Sequence, residues 1–194
     1  MEKRLILITG TPCVGKTTLA RKLAAELKAE YINLTELAEK ERLILGRDAT
    51  RSTNIVDEVK MRSQLKAMLK DAATDVVIDG HYAAAVAPKR GVSYVFVLRR
   101  NPVELREFMR RCGFSQPKED ENLAAEILDV CLVEALRNHP RGNVCELDLT
   151  GKTVEETLKE VLNILSGKRA CSAGYVDWLG MLESQGKLDE YLKS

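Results

Sequence analysis

The residues best suited to chemistry lie near the N-terminus. Residues 10–18 read Gly-Thr-Pro-Cys-Val-Gly-Lys-Thr-Thr, which matches the phosphate-loop pattern G-x-x-x-x-G-K-[ST]. Glycines let the backbone amides of such a loop turn toward an anion, the lysine adds a positive charge, and the hydroxyl suits Mg²⁺. We therefore predict that the loop binds nucleotide phosphates through Gly10, Cys13, Gly15, Lys16, Thr17 and Thr18, with Lys16 also catalytic and Thr17 also a magnesium ligand.

Cys13 stands inside this loop, and its simplest interpretation is a small residue that fills a turn. A redox switch is the alternative, because a cysteine among cationic groups can become reactive. The chain has five cysteines, an odd number without C-x-x-C spacing. This pattern argues against a disulfide framework and against a structural zinc site.

A second group of polar residues follows an apolar run. Residues 75–82 read Asp-Val-Val-Ile-Asp-Gly-His-Tyr, a pattern typical of a buried strand that ends in an acid. We predict that Asp79 is catalytic and holds the magnesium shell, with a turn cap as the alternative. His81 should emerge from the same edge and position water or the γ-phosphate; a packed or solvated loop histidine is the alternative. We assign no chemistry to His139.

Arginines form a third group. Phosphoryl transfer needs cations on the migrating group, and five arginines lie between residues 99 and 111. We predict that Arg110 and Arg111 bind the nucleotide and that Arg111 is catalytic. Arg99 and Arg100, at a strand end, are the other candidates for this clamp. Ordinary solvated surface charge is the alternative for each of them.

The elements that must position these groups alternate along the chain. Apolar, β-rich runs cover residues 5–8, 31–34, 76–78, 94–98 and 144–149, and amphipathic helical patterns cover residues 17–27, 55–70, 102–111, 123–137 and 154–165. Continuous apolar strands separated by helices indicate parallel strands that are covered on both faces. We predict an α/β fold of the P-loop NTPase type, with a parallel five-stranded sheet and helices on both faces.

Two segments do not belong to such a sheet. Residues 38–54 are highly charged, and residues 110–122 are short and polar. Both are expected to be mobile loops over a ligand. Beyond Gly167 we expect a linker at 168–174, followed by a small helical tail that includes Tyr175 and Trp178.

Length, charge and hydropathy limit the classes of protein to which the chain can belong. The chain has 194 residues, and its formal net charge is +1, so overall charge points to neither nucleic acid nor membrane. It lacks a run of roughly 18 apolar residues, the length of a membrane span. The first apolar run ends at Thr9 after four residues, which fits a strand rather than a signal peptide. The cytoplasm is the expected location.

Several segments together resemble the adenylate kinase isoenzyme 6 family. They are GTPCVGKTTLA, YINLTELA, VIDGHYA, VFVLRR and ENLAAEI. The resemblance implies a P-loop domain like that of nucleoside-monophosphate (NMP) kinases over residues 1–167. Within it lie an NMP-binding insertion at about 33–55 and a short lid at about 111–118. Residues 168–194 would form a small helical C-terminal extension.

The resemblance also implies an activity and partners. It implies phosphoryl transfer from ATP to AMP with Mg²⁺, ATPase activity, and transient binding to a platform protein of the small ribosomal subunit during rRNA maturation. Two positions depart from the family pattern. Lys40 or Arg42 would replace the arginine for AMP, and the lid arginine stands one place early, as Arg111. Arg47 and Arg51 also lie in the insertion.

Other functions stay open at this point. One is an ATPase that switches ribosome assembly with little kinase activity, and another is a P-loop kinase of shikimate or gluconate type. For a basic ribosomal partner we predict an acidic surface near the lid and in the insertion; a solvated helix face is the alternative. The acids are Glu36, Glu39, Glu41, Glu119, Asp120, Glu121 and Glu126.

Overall fold

Five apolar segments form the central sheet of the computed structural model, which describes residues 3–48 and 53–192. The sheet has the order β2-β5-β1-β6-β7, and all its strand pairs are parallel. This confirms the predicted parallel five-stranded sheet. In chain order the strands are β1 Leu5–Gly10, β2 Glu30–Asn33, β3 Ile44–Asp48, β4 Thr53–Val56, β5 Val76–Asp79, β6 Val92–Arg99 and β7 Val144–Asp148.

Helices cover both faces of the sheet, as the sequence predicts. They are α1 Lys16–Leu27, α2 Leu34–Lys40, α3 Glu58–Asp71, α4 Ala83–Val86, α5 Pro102–Arg111, α6 Gln116–Ile127, α7 Val130–Asn138, α8 Val154–Leu165, α9 Trp178–Ser184 and α10 Leu188–Tyr191. Side chains of β1 alternate between the faces. Ile6 and Ile8 pack with α1, α5, α6, α8 and the C-terminal helices, whereas Leu5 and Leu7 pack with α2, α3, α4 and α7.

The insertion between β2 and α3 is more regular than the sequence predicts. Strands β3 and β4 form an antiparallel hairpin. The helix predicted from residue 55 begins only at Glu58, because the Asp57 side chain accepts a hydrogen bond from the Lys60 amide and caps it. Arg51, a candidate in this insertion, lies outside the described residues.

Two helix boundaries after β6 also differ from the prediction. The polar stretch 110–122 is not a loop throughout, since α6 begins at Gln116 with Pro117 in its first turn, a position that tolerates proline. The helix predicted over 123–137 is broken at Asp129, whose φ of 58° is left-handed. The side chain of this aspartate pairs with Arg99 at 2.5 Å.

The C-terminal segment belongs to the same core as the sheet. Trp178 and Leu182 are buried in the hydrophobic cluster that includes β1 and α1. Helix α9 starts at Trp178, later than the predicted helical spacing, and the side chain of Asp177 caps it. Cys145 in β7 is joined to Cys171 by a disulfide across 26 residues, a single pair that the argument against a disulfide framework did not identify. Sequence spacing could not reveal a pair that forms only when the tail docks.

The tail also lies along the outer edge of β7. The Glu146 amide donates to Ser172 O at 2.8 Å, and the Asp148 amide donates to the Tyr175 hydroxyl at 3.3 Å. Two alternate amides of this edge strand therefore have partners in the tail.

Within residues 3–48 and 53–192, none of the helices combines the length and the apolar character needed to cross a membrane.

Candidate functional site

The phosphate loop is formed at the carboxyl end of β1. At Gly10, φ is 140° and an added Cβ would lie 2.5 Å from Leu98 O, so only glycine fits there. Gly15, with a φ of 115°, leads directly into α1. The loop therefore turns its backbone around the positive end of a twelve-residue helix, an arrangement that favours anions. Cys13 has a left-handed φ of 65°, which is uncommon for a residue other than glycine.

Lys16 lies inside this loop. Its Nζ donates to Thr11 O at 2.9 Å, and burial lowers the pKa of its ammonium below the ordinary value. No salt bridge of Lys16 is seen among the residues that the structure describes. Its charge is therefore held beside the loop amides, where an anionic ligand would attract it.

The Asp79 carboxylate lies next to the loop because β5 pairs with β1, with Asp79 opposite Ile8. Asp79 is 1% exposed. Its Oδ2 accepts hydrogen bonds from Thr17 Oγ1 at 2.7 Å, from Tyr31 OH at 3.0 Å and from Asn33 Nδ2 at 2.9 Å. Sequence reasoning missed Tyr31 and Asn33, although their spacing of two residues on β2 places both side chains on one face.

Thr17 and Asp79 fit a magnesium site. Asp79 Oδ1 is buried and has no hydrogen-bond partner within the described parts of the chain. A buried carboxylate oxygen without a partner is costly, and carboxylate and hydroxyl oxygens are ligands that Mg²⁺ accepts. These two residues are therefore the ones that could hold the ion.

His81 follows Asp79 at the same edge of the sheet. Its backbone carbonyl accepts a hydrogen bond from Thr9 Oγ1 at 2.9 Å, and its ring lies edge-on to Tyr82, 4.9 Å between centroids. The ring reaches solvent at the wall of a cleft. The surrounding protein, together with Lys16 and Lys118, lowers the pKa of His81 to about 4, so the imidazole is neutral at pH 7.

Arg99 and Arg100 are neighbours in sequence, and both are buried and paired with carboxylates, Arg100 with Glu104. Arg99 is 1% exposed and pairs with Glu126 at 2.9 Å, with Glu146 at 2.6 Å and with Asp129. Such a residue cannot serve as a phosphate clamp, and this corrects its candidacy. Arg100 Nε donates to Val14 O of the phosphate loop at 3.4 Å, and its guanidinium lies 4.7 Å from the centre of the Phe108 ring.

The other arginines lie on α5. Arg106 packs on the Tyr191 ring of the C-terminal segment, 3.5 Å from its centre. Arg110 and Arg111 have side chains 59% and 73% exposed, and Glu119 lies 3.3 Å from Arg110. Neither residue lines either of the two cavities described next. Phosphate binding by Arg110 and Arg111 therefore stays a prediction, and it requires these side chains to move toward a cavity.

Two cavities open on opposite sides of the phosphate loop. The larger, of about 910 Å³, lies between the loop, the β3–β4 hairpin and the start of α6. Arg47 and Lys118 line it, whereas Lys40 and Arg42 do not. The smaller, of about 450 Å³, is lined by Thr18, Arg100, Leu149 and residues 151–154 around the start of α8. Both volumes lie in the range of small-molecule sites.

The predicted acidic surface is only partly present. Glu119 and Glu126 are buried, with exposures of 1% and 2%. Both carboxylates pair with arginines, Glu119 with Arg110 and Glu126 with Arg99. Their candidacy for a partner surface is wrong, because these acids face the protein interior. Their positions in an amphipathic pattern, in line with buried Leu123, are the sequence signal that could have shown this.

Comparisons with known proteins agree with this geometry. The family model described as "AAA domain" matches residues 6–129. A protein of Pyrococcus furiosus named "Putative adenylate kinase" is 38% identical over 180 residues, which are 92% of this chain and 93% of that protein. One of the same name from Methanothermobacter thermautotrophicus is 41% identical over 178 residues, 92% of this chain and 99% of that protein.

Among solved structures, shikimate kinase from Acinetobacter baumannii in complex with shikimate superposes with a TM-score of 0.59. The sequence identity is 14%, and the match covers 86% of this chain and 95% of that one. This likeness shows the fold alone, an α/β P-loop NTPase. The archaeal relatives go further, since their similarity extends over nearly the whole chain. The chain belongs to the adenylate-kinase-like family of P-loop kinases that these archaeal proteins represent.

Proposed function

We propose that the protein transfers the γ-phosphoryl group of ATP to AMP, giving two ADP, and also hydrolyses ATP. The observation that carries this proposal is the pair of cavities on either side of the phosphate loop. A kinase that joins two nucleotides needs two such sites, with the phosphates meeting between them. The smaller cavity, at the start of α1 and α8, would hold the base of ATP, and the larger cavity would hold AMP.

The donor half of the reaction uses the phosphate loop. The loop amides and Lys16 would bind the β- and γ-phosphates, since the Lys16 ammonium has donors left beside the one that it gives to Thr11 O. Mg²⁺ bound by Thr17 and Asp79 would neutralise phosphate charge. Tyr31 and Asn33 hold the Asp79 carboxylate in place. Because these groups are already positioned, they can stabilise the charge of the transition state without reorganising.

The acceptor half uses the hairpin and the lid. Among the described residues of the insertion, Arg47 is the cation that lines the large cleft, so it is proposed to bind the AMP phosphate in place of Lys40 or Arg42. Arg110 and Arg111 would reach the transferred group only when the lid turn at residues 112–115 closes. Lid closure of this kind also excludes water.

Hydrolysis would occur when water replaces AMP. His81 lines the same cleft and is neutral at pH 7, so it could accept a hydrogen bond from the attacking water.

The deciding experiment is a coupled assay of ATP turnover with each nucleoside monophosphate, compared with ATP alone. We expect AMP to accelerate turnover most. Arg47→Ala should raise the KM for AMP at least tenfold, whereas Lys40→Ala, at an exposed position outside the cleft, should not. Acceleration by shikimate or gluconate instead of nucleotides would contradict the proposal and assign a small-molecule kinase. Turnover that no acceptor changes would leave an ATPase switch.

We propose further that the protein acts in the cytoplasm, in maturation of the small ribosomal subunit and its 16S rRNA, by transient contact with a platform protein. The support for this role is the resemblance and the exposed acids of the insertion, such as Glu36. Pull-down of the archaeal platform protein, with no nucleotide, with ADP and with a non-hydrolysable ATP analogue, tests it. Binding should depend on nucleotide and weaken at high salt; binding indifferent to both would contradict the role.

A further inference from the structure

A buried carboxylate connects the phosphate loop to the C-terminal segment. Glu126 is 2% exposed and lies near the end of α6. Its Oε2 accepts a hydrogen bond from Thr11 Oγ1 at 2.5 Å. Its Oε1 accepts from Arg99 Nε at 2.9 Å, from Trp178 Nε1 at 3.0 Å and from the Arg100 amide at 3.2 Å. Three distant parts of the chain thus share one carboxylate.

Thr11 passes this connection on to the catalytic lysine. Thr11 is 1% exposed, its hydroxyl is bound to Glu126, and its carbonyl accepts from Lys16 Nζ at 2.9 Å. A continuous chain of hydrogen bonds therefore runs from the Trp178 indole through Glu126 and Thr11 to Lys16. Inside a protein, such charge-assisted bonds are stronger than neutral ones and reinforce each other.

Glu126 is itself held firmly. Arg99 binds both its side chain and, at 2.8 Å, its backbone carbonyl, and Glu146 holds Arg99 from β7. Because the carboxylate cannot move freely, the position of its Oε2 fixes the rotamer of Thr11 and, with it, the start of the phosphate loop. The indole of Trp178 supplies one of the donors that keep the carboxylate in this place.

We propose that Glu126 is a positioning residue for the phosphate loop, and that the C-terminal segment raises nucleotide affinity through Trp178. This inference rests on the proposed function only in requiring that the loop binds a nucleotide. Coupling between two sites is reciprocal. We therefore expect nucleotide binding at the loop to alter the surroundings of Trp178, although the indole does not line either cavity.

The chain provides its own reporter, since Trp178 is its single tryptophan. The experiment measures the affinity for ADP and for a non-hydrolysable ATP analogue by calorimetry, and the tryptophan emission during the same titration. We expect the emission of the parent protein to change on binding. Thr11→Val keeps the shape of the side chain, removes its hydroxyl and does not touch the indole. It should weaken binding roughly fivefold, which corresponds to one hydrogen bond, and abolish most of the emission change.

Two further variants interrupt the series of hydrogen bonds from Trp178 to Lys16 at other positions. Trp178→Phe should weaken nucleotide binding by about threefold to tenfold. Glu126→Gln should weaken it more, because this change alters the hydrogen bonds to both Thr11 and Trp178. The matched control is Tyr175→Phe. Its hydroxyl is hydrogen-bonded to the backbone of β7. Losing it removes a contact of the same C-terminal segment that does not belong to the series of hydrogen bonds from Trp178 to Lys16. Tyr175→Phe should leave affinity and emission change at parent values.

The outcomes separate coupling from mere stabilisation. If Trp178→Phe and Tyr175→Phe lower Tm alike while both keep parental nucleotide affinity, the coupling is refuted. An emission change that survives in Thr11→Val also refutes it. A parent protein that binds nucleotide but does not phosphorylate AMP would contradict the proposed kinase activity and leave this test intact. A parent that binds no nucleotide would overturn both.

Discussion

Two regions of the site hold their polar groups in opposite ways. In the region formed by the phosphate loop and Asp79, Thr11 and Asp79 are buried, and the polar side chains are hydrogen-bonded at 2.5 to 3.0 Å. In the lid region, Arg110 and Arg111 are mostly exposed, and their nearest acids lie 3.3 and 3.8 Å away. If these groups act as proposed, the contrast means that phosphate binding is organised in advance, whereas Arg110 and Arg111 reach the transferred group only by a movement.

Lys16→Ala should have the largest effect, because it removes the cation of the preorganised region. We expect turnover to fall by about 10²–10³-fold or more and nucleotide affinity to fall with it. Steady-state kinetics and calorimetry measure both. Circular dichroism should show an intact fold, and Lys40→Ala serves as the exposed control. Near-normal turnover would exclude the phosphate loop from the mechanism.

Asp79→Asn should come next. The amide keeps the size of the side chain but weakens a magnesium site without removing the loop amides, so turnover should fall by roughly 10²-fold and nucleotide binding much less. A magnesium titration of the rate should shift to higher concentrations. Equal losses in binding and turnover would assign Asp79 a structural role.

Arg110→Ala and Arg111→Ala test the lid region. Since these side chains can meet phosphate only after closure, each loss should lower kcat, by about tenfold for the residue that carries the role, with little change in the affinity for ATP. Comparing the two single variants identifies that residue. If both variants retain the parental kcat, the lid contributes no cation and the contrast between the two regions fails.

His81→Ala should have the smallest effect, with ATP hydrolysis reduced several-fold and ATP affinity unchanged if the ring orients water. An unchanged hydrolysis rate would return His81 to a packing role.

The pKa of His81 provides a second test of whether its ring is surrounded by protein or by solvent. Its pKa is lowered to about 4, against roughly 6.5 for a free histidine. Between these values the unfolded chain binds more protons, so the free energy of unfolding rises with pH through that interval; the cost that His81 imposes on folding at low pH is gone above pH 6.5. NMR titration of the imidazole carbons, with His139 as the second signal, measures it. A midpoint near 6.5 would show that the ring is solvated.

The parts that the sequence predicts correctly are those determined locally. The β1 strand, the loop with Gly10 and Gly15, and α1 follow one another within 23 residues, and glycine, lysine and apolar spacing specify each of them. Asp79 can be placed at the sheet edge for the same reason, since an apolar run ends directly at it.

The parts that the sequence does not predict depend on contacts between distant residues. Arg99 and Arg111 are the same residue type, yet only the approach of Glu126 and Glu146 makes Arg99 a buried structural group. The β3–β4 hairpin was missed because much of β3 is exposed, so its pattern lacks the apolar alternation that indicates a strand. The amphipathic pattern of α6 indicates that Glu119 faces inward, but its pairing with Arg106 and Arg110 depends on the packing of α5 against α6.

The tail along β7 has a consequence for how the molecule behaves in a crowded solution. A strand at the edge of a sheet offers unpaired amides to any passing chain and is a common origin of aggregation. Here the Ser172 carbonyl accepts a hydrogen bond from the Glu146 amide, and the Tyr175 hydroxyl accepts one from the Asp148 amide. Residues 171–175 therefore act as a protective border that closes this side of the sheet to strand addition by a second molecule.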